Sequence, residues 1–189
     1  MRVAAYCGSS HGNEPHFRRE AQNLALALGR NKMDLVYGGG KVGLMGALAD
    51  AAIAAGVHVI GVIPQFLADH ELAHPHVHQL LVVNDMHERK AAMAQQADAF
   101  IALPGGPGTL EEIIEAWTWA QLGLHAKPCA FLNVDGYFDE LLAFIDKMIV
   151  KGFMNPAYKD MLILSDGADD LLSQIEAYRP PQSKWGSPR

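Results

Sequence analysis

Short apolar runs alternate with amphipathic stretches along this chain, and that alternation limits its possible folds more than any other feature. The runs lie at 3–7, 35–37, 57–63, 80–83, 99–103, 130–134 and 161–164. They are continuously apolar and partly β-branched, as strands buried on both faces are. Segments near 15–30, 43–55, 86–97, 109–123, 137–151 and 168–178 separate them with helical patterning. Parallel strands need crossover connections, and a helix in each crossover covers the sheet. The expected fold is α/β: a single Rossmann-like doubly wound domain, a mainly parallel sheet flanked by helices. At 189 residues, half of them hydrophobic, the chain can bury one core. The domain is expected over 1–178, with a loose, proline-bearing tail at 179–189. Asn13, Glu14 and Pro15 predict a capped helix start, and Gly56 and Gly152 predict helix ends. Asp85 and Glu88 read as a capping pair.

Formal net charge is −6 and the 15 Lys and Arg are scattered, so no basic stripe for nucleic acid is expected. No run approaches the roughly 20 apolar residues of a membrane span. The opening MRVAAYCGSS is too short an apolar run for a signal peptide, so a cytoplasmic address is expected. Cys7 and Cys129 sit inside apolar runs with no zinc or disulfide spacing, which predicts a reducing compartment and no metal. An acidic protein can hold an anion only with donors aimed at it. That points to a small phosphorylated ligand in a dedicated pocket.

Two glycine-rich loops each follow an expected strand and open an expected helix, at the sheet edge where ligands of this architecture bind. The first, Gly38-Gly39-Gly40-Lys41-Val42-Gly43, is formally G-x-G-x-x-G. A dinucleotide site also needs an acid at the end of the next strand, and none stands there before Asp69. A tight turn explains the glycines, and a surface where a ligand nears the backbone is the preferred reading. The second loop runs from Leu103 through Pro104-Gly105-Gly106-Pro107-Gly108-Thr109 to Leu110-Glu111-Glu112. Its amides and the helix dipole can form a phosphate site without a lysine. The G-K-[ST] ending of a P-loop is absent.

Two residues carry alternative readings. Thr109 and Glu112 match a capping box, in which the glutamate only satisfies a backbone donor. Against this, Glu111, Glu112 and Glu115 crowd one helical stretch, which makes sense if one acid faces a cation, such as a ribose turning cationic. Arg89, four residues after Asp85, fits an exposed ion pair or a site residue equally well.

The stretches Tyr37-Gly38-Gly39-Gly40, Met86-His87-Glu88-Arg89-Lys90 and Pro104 to Glu112 together resemble the Lonely-guy family. The resemblance continues through Thr118-Trp119-Ala120-Gln121-Leu122-Gly123 and Leu132-Asn133-Val134-Asp135-Gly136-Tyr137. Members are cytokinin riboside 5′-monophosphate phosphoribohydrolases, often mislabelled as lysine decarboxylases. The resemblance implies a homodimer with pockets at or near the subunit interface, no cofactor, and a purine nucleoside 5′-monophosphate substrate. It implies Arg89 and Glu112 as the catalytic pair. It places Glu71, Lys90, Gly105, Gly106, Pro107, Gly108, Thr109, Leu110, Glu111 and Thr118 around the nucleotide. Glu112 would stabilise the cationic sugar and orient water, while Arg89, always protonated, would act as a clamp. The rival readings are a non-catalytic nucleotide-binding or sensor protein, and a pyridoxal-phosphate decarboxylase. No lysine among Lys32, Lys41, Lys90 and Lys127 reads as the cofactor anchor of the latter.

His70, His74, His76 and His78 lack a third ligand set, and a mobile loop over the pocket with solvent-facing histidines is expected. Ile113, Ile114 and Trp117 are expected in the core, Trp119 at a dimer contact, and 138–148 as a core-facing helix.

Overall fold

A computed structural model describes residues 1–70 and 72–181. Its strands are β1 (Arg2–Tyr6), β2 (Asp34–Tyr37), β3 (Val59–Pro64), β4 (Gln79–Val83), β5 (Ala99–Ala102), β6 (Cys129–Leu132) and β7 (Leu162–Ser165). The helices are α1 (Pro15–Arg30), α2 (Gly43–Ala54), α3 (Gln65–Asp69), α4 (Met86–Gln96), α5 (Pro107–Gln121), α6 (Asp139–Val150), α7 (Pro156–Lys159) and α8 (Ala168–Ala177). All seven strands join one parallel sheet in the order β4-β3-β2-β1-β5-β6-β7. This is the expected doubly wound fold.

Alternation along each strand divides the core in two. Val3 and Ala5 of β1 pack with Leu35 and Tyr37 under α1, α2 and α8. Ala4 and Tyr6 pack with Val36, Phe100 and Phe131 under α4, α5 and α6. Strand order reverses between β1 and β5, so the chain leaves those neighbours toward opposite faces and opens a crevice at their carboxyl ends.

Where element boundaries differ from expectation, backbone hydrogen bonds give the reason. Gly56 ends α2 at φ +75°, as expected, and the Val57 N–H then donates to Ala52 O (2.9 Å). That bond completes the helix-end motif, so β3 begins only at Val59. Gly152 closes α6 likewise at φ +78°. Asn13 is not the cap of α1; Glu14 holds that position without a side-chain cap, and Pro15 supplies the fixed φ of a first helical residue. The expected helix at 137–151 is preceded by a 3₁₀ turn, Val134–Gly136. The one-turn helices α3 and α7 are too short to show a period in sequence.

Ile113 and Trp117 are buried as expected, and the Trp117 indole donates to Tyr158 O (2.9 Å). Ile114 and Trp119 are half-buried. Helix α6 faces the core as expected, through Ile145 and the half-buried Leu141 and Leu142, while Phe144 and Val150 face solvent. Among the described residues no helix is long and apolar enough to cross a membrane. Arg179 to Pro181 follow α8 without regular structure, and the rest of the expected tail lies outside the described residues.

Candidate active site

Two cavities flank the N-terminus of α5 in the crevice between β1 and β5. One, of about 280 Å³, lies among Phe17, Leu44, Pro104, Tyr137 and the loop 8–12. Three hydrogen bonds tie its wall together: Gly8 N–H donates to Pro104 O (3.1 Å), the Tyr137 hydroxyl to Gly105 O (2.7 Å), and Leu44 N–H to Gly8 O (3.0 Å). No Lys or Arg lines it. The other, of about 250 Å³, is walled by Cys7, Gly8, Ser9, Met45, Met86, Arg89, Gly106, Pro107, Gly108, Thr109, Glu111 and Glu112. Of the two, the second offers an anion a cationic side chain, Arg89, beside the residues that open α5.

Gly106 caps α5 with an extended backbone, and Pro107 takes the first helical position. The first backbone bond of the helix runs from Leu110 N–H to Gly106 O (3.3 Å). The N–H groups of Gly108 and Thr109 therefore have no partner within the helix, and no side chain caps them. Capping at Gly106 also removes the Thr109–Glu112 capping box: both residues lie inside the helix, beyond its cap.

The glycines of this loop differ in what they are for. A Cβ on Gly105 would stand 2.2 Å from Thr109 Oγ1, so packing requires that glycine. A Cβ on Gly106 or Gly108 would meet nothing within 4 Å, and neither residue has positive φ. Folding makes no demand for glycine at these two positions, but a ligand approaching the amides would. Gly108→Ala should thus leave Tm unchanged or slightly raised, since alanine favours a helix by about 1 kcal/mol. It should raise KM for a phosphorylated substrate about tenfold, as when one charged-group hydrogen bond is weakened. Thermal melts and steady-state kinetics on one preparation check both halves.

Helix α4 delivers Arg89. Asp85 caps it, its Oδ1 accepting from His87 N–H (2.8 Å) and Glu88 N–H (2.9 Å). Glu88 reaches back to Asn84 N–H (2.9 Å), one residue earlier than a capping box would place it. With Asp85 so used, Arg89 turns inward rather than forming an exposed pair. It is buried; its Nε donates to Val62 O (3.2 Å) and its Nη2 to Gly38 O (3.3 Å). Its Nη1 lies 3.4 Å from Glu112 Oε1. The carbonyls ending β2 and β3 thereby hold the guanidinium over the sheet edge.

That geometry explains the first glycine loop differently from expectation. A Cβ on Gly38 would fall 1.8 Å from Arg89 Nη2. Gly39, at φ +73°, packs against Ile63, and Gly40 pairs with Ala73 in an isolated antiparallel bridge. Lys41 N–H donates to Leu72 O (2.9 Å) and His74 N–H to Gly39 O (2.9 Å). Gly38, Gly39 and Gly40 are buried with the chain's own 72–74 segment against them, so these three glycines serve packing in place of the preferred ligand surface; Lys41 is exposed.

Burial pushes the Glu112 carboxyl above its ordinary value, with Arg89 opposing and Glu111 reinforcing the shift. Lys90 takes up the other two acids, its Nζ pairing with Glu111 and, at 3.0 Å, with Glu115. The acidic crowding is thus partly neutralised by Lys90, which joins α4 to α5 and does not line the cavity. Leu110 is half-buried in the core, and Gly105 faces the neighbouring cavity. Thr118 is exposed, donates its hydroxyl to Ile114 O (2.7 Å), and lies apart from the cavity of its own chain. Glu71 lies outside the described residues. The sequence reading missed Gly8, Ser9, Met45 and Met86. The run Cys7-Gly8-Ser9-Ser10 after the first strand was the available signal, because that loop meets the reversal point in any such sheet. Burial raises the Cys7 thiol far above its ordinary value, so it stays protonated and is no nucleophile.

His74 departs from the solvent-facing expectation. It is buried, with Nε2 3.1 Å from Asp50 and Nδ1 accepting from His76 N–H (3.2 Å). His70, His76 and His78 are exposed, and no group of metal-ligating side chains forms among the described residues.

A family model described as "Possible lysine decarboxylase" matches residues 45–175. A cytokinin riboside 5′-monophosphate phosphoribohydrolase of Arabidopsis thaliana is 49% identical over 179 residues, covering 95% of this chain and 82% of its own length. A second from that plant is 47% identical over 186 residues, covering 98% and 87%. A probable cytokinin riboside 5′-monophosphate phosphoribohydrolase of Oryza sativa subsp. japonica is 49% identical over 183 residues, covering 97% and 75%. Among solved structures, the molybdenum cofactor binding protein of the phototrophic bacterium Rippkaea orientalis superposes with TM-score 0.69 at 20% identity, over 93% of this chain and 94% of that one. The molybdenum cofactor carrier protein of Chlamydomonas reinhardtii gives 0.69 at 19% identity, over 93% and 97%. At such identities the likeness concerns the fold alone.

Proposed function

This chain belongs to the Lonely-guy family of cytokinin riboside 5′-monophosphate phosphoribohydrolases, and from that premise we propose how its own residues carry out the reaction. It is an N-glycosidase: it hydrolyses a purine nucleoside 5′-monophosphate to free base and ribose 5-phosphate. The substrates we assign are adenosine monophosphate and its N6-modified forms.

The observation that carries the site assignment is the buried Arg89–Glu112 pair, 3.4 Å apart, beside the uncapped amides of α5. The 5′-phosphate seats on the N–H groups of Gly106, Gly108 and Thr109, where the helix dipole adds roughly half a positive charge. Arg89 clamps phosphate or ribose hydroxyls and keeps its proton throughout. The bond from C1′ to the purine nitrogen breaks with its electron pair leaving on the base, which takes up a proton from solvent; the proton that Glu112 later accepts from the attacking water returns to solvent and balances it. The ribose left behind is oxocarbenium-like and faces Glu112. Water attacks C1′ and gives its proton to Glu112, whose raised pKa suits a general base near neutrality. Phosphate binding, remote from C1′, supplies the positioning.

A mere nucleotide binder would have no use for an acid buried in the phosphate cavity, because it repels the ligand. For decarboxylation, the residues do not fit pyridoxal phosphate. No lysine lines the cavity; Lys90 is held by two glutamates, and Lys127 donates to Ala94 O (2.7 Å) just before β6, at the opposite sheet edge.

We also propose a homodimer. Leu122, Leu124, Phe144 and Phe153 are exposed on elements of the α5–α6 side, and a partner would cover such apolar surface. Thr118, off its own cavity, would then be free to act at the interface.

The test is a panel of AMP, isopentenyl-adenosine monophosphate, GMP and CMP, each beside its phosphate-free nucleoside. Base release from the adenine monophosphates should exceed that from their nucleosides by at least ~100-fold, the scale of a lost positioning contact. Equal cleavage with and without phosphate would overturn the phosphate seat. Intact nucleotides throughout would overturn the enzyme.

A further inference from the structure

The stretch Asn133 to Tyr137, after β6, has no part in the reaction as drawn above, yet its backbone is held in an unusual shape. Asp135 and Gly136 are consecutive left-handed residues, at φ +53° and +70°. A non-glycine residue there is costly and persists only where its surroundings enforce it. Asn133 enforces it: its Oδ1 accepts from Phe138 N–H (2.7 Å), and its Nδ2 donates to Asp139 Oδ1 (2.8 Å). The turn swings Tyr137 back across the sheet edge, where its ring lies edge-on to Phe17 (5.8 Å) and Phe138 (5.0 Å). There its hydroxyl donates to Gly105 O at 2.7 Å.

Gly105 O belongs to the same planar peptide unit as the Gly106 N–H. In a trans peptide those two groups point in opposite directions. Pulling the carbonyl toward Tyr137 therefore turns the Gly106 N–H away from Tyr137, and Gly106 also lines the cavity that holds Arg89 and Glu112. The peptide joins two glycines, whose backbone torsions are freer than those of other residues. We propose that Tyr137 is a positioning residue. Through one hydrogen bond to Gly105 it fixes the Gly105–Gly106 peptide with its N–H aimed at the 5′-phosphate. The proposal rests on the phosphate seat argued above and adds the residue that holds that seat in register.

Tyr137→Phe removes the hydroxyl and keeps the ring between Phe17 and Phe138. KM for AMP and the inhibition constant of ribose 5-phosphate should rise together by about tenfold, the usual scale for one such hydrogen bond. Inhibition by free adenine, kcat and Tm should stay close to wild type. Phe17→Leu, which disturbs the ring contact but leaves the hydroxyl, should not weaken ribose 5-phosphate. The proposal is overturned if Tyr137→Phe binds ribose 5-phosphate normally, if adenine weakens equally, or if Phe17→Leu has the same effect. If the wild-type protein showed no phosphate-dependent turnover and no affinity for ribose 5-phosphate, the functional reading itself would fall, and this proposal with it.

Discussion

Glu112→Gln should lower turnover of AMP by at least ~100-fold, the loss typical of a positioned acid–base group, while the protein remains folded. Two observations combine in that expectation. The carboxylate lies in the cavity beside Arg89, so its charge meets whatever cation forms there. Its pKa is raised chiefly by burial, so the fold tolerates the neutral form better than the charged one. The sign follows from linkage. A carboxyl whose folded pKa exceeds its unfolded value contributes stability below the unfolded value, and that contribution is lost as pH rises through the folded one. At neutral pH the ionised side chain is therefore a cost that the amide removes. Arg89 keeps its acceptors on Val62 and Gly38, and the glutamine oxygen can still face it. Tm should accordingly stay within a few degrees of wild type. In the proposed mechanism Glu112 acts ionised, so wild-type kcat/KM should fall on acidification along a limb displaced above the ordinary glutamate value of 4.5. In Glu112→Gln that limb should vanish. Near-normal hydrolysis by the amide variant would remove Glu112 from the mechanism.

The parallel sheet was legible because uninterrupted apolar strands between helical segments have few other ways to be buried. Arg89 and Glu112 were legible only through the family resemblance. Local spacing favoured neither, since an (i, i+4) acid–base pair and a T-x-x-E both have ordinary surface explanations. What separates the readings is where the helices begin. Proline at 107 lets α5 start three residues before the Thr109-led capping pattern suggests, which places Glu112 in the second turn facing α4. Asp85 spends its carboxylate on the cap of α4, which frees Arg89 to turn inward. Lys90 was placed at the nucleotide by the family resemblance. A helix, however, separates neighbours by about 100°, and that rotation puts Lys90 against Glu111 and Glu115 instead. The loop after β1 was signalled by its place behind the first strand rather than by the chemistry of its residues. Its importance comes from strand order, a property of long-range pairing.

Gly38→Ala should be nearly as damaging as losing Arg89 itself, though residue 38 is absent from the cavity wall. Gly38 has no positive φ, so alanine suits its backbone; the obstacle is purely the space a methyl group would fill. That space contains Arg89 Nη2, 1.8 Å from the methyl position, with the Arg89 Cζ at 3.0 Å and Met45 Sδ at 3.2 Å. A flexible side chain can retreat from such contact, so the fold should survive with Tm lowered by only a few degrees. The retreat must move the guanidinium by more than 1 Å, however, which breaks its bond to Gly38 O and draws Nη1 away from Glu112. Misplacing a catalytic group by about 1 Å costs on the order of 100-fold in rate, and that is the loss expected in kcat/KM for AMP. Ribose 5-phosphate should still bind within a few-fold of wild type if the α5 amides supply most of the phosphate grip. A variant that turns over normally would show that the tight seat of Arg89 on the β2 carbonyl is irrelevant to catalysis. A variant with both turnover and ribose 5-phosphate binding abolished would make Arg89, rather than the helix terminus, the principal phosphate ligand.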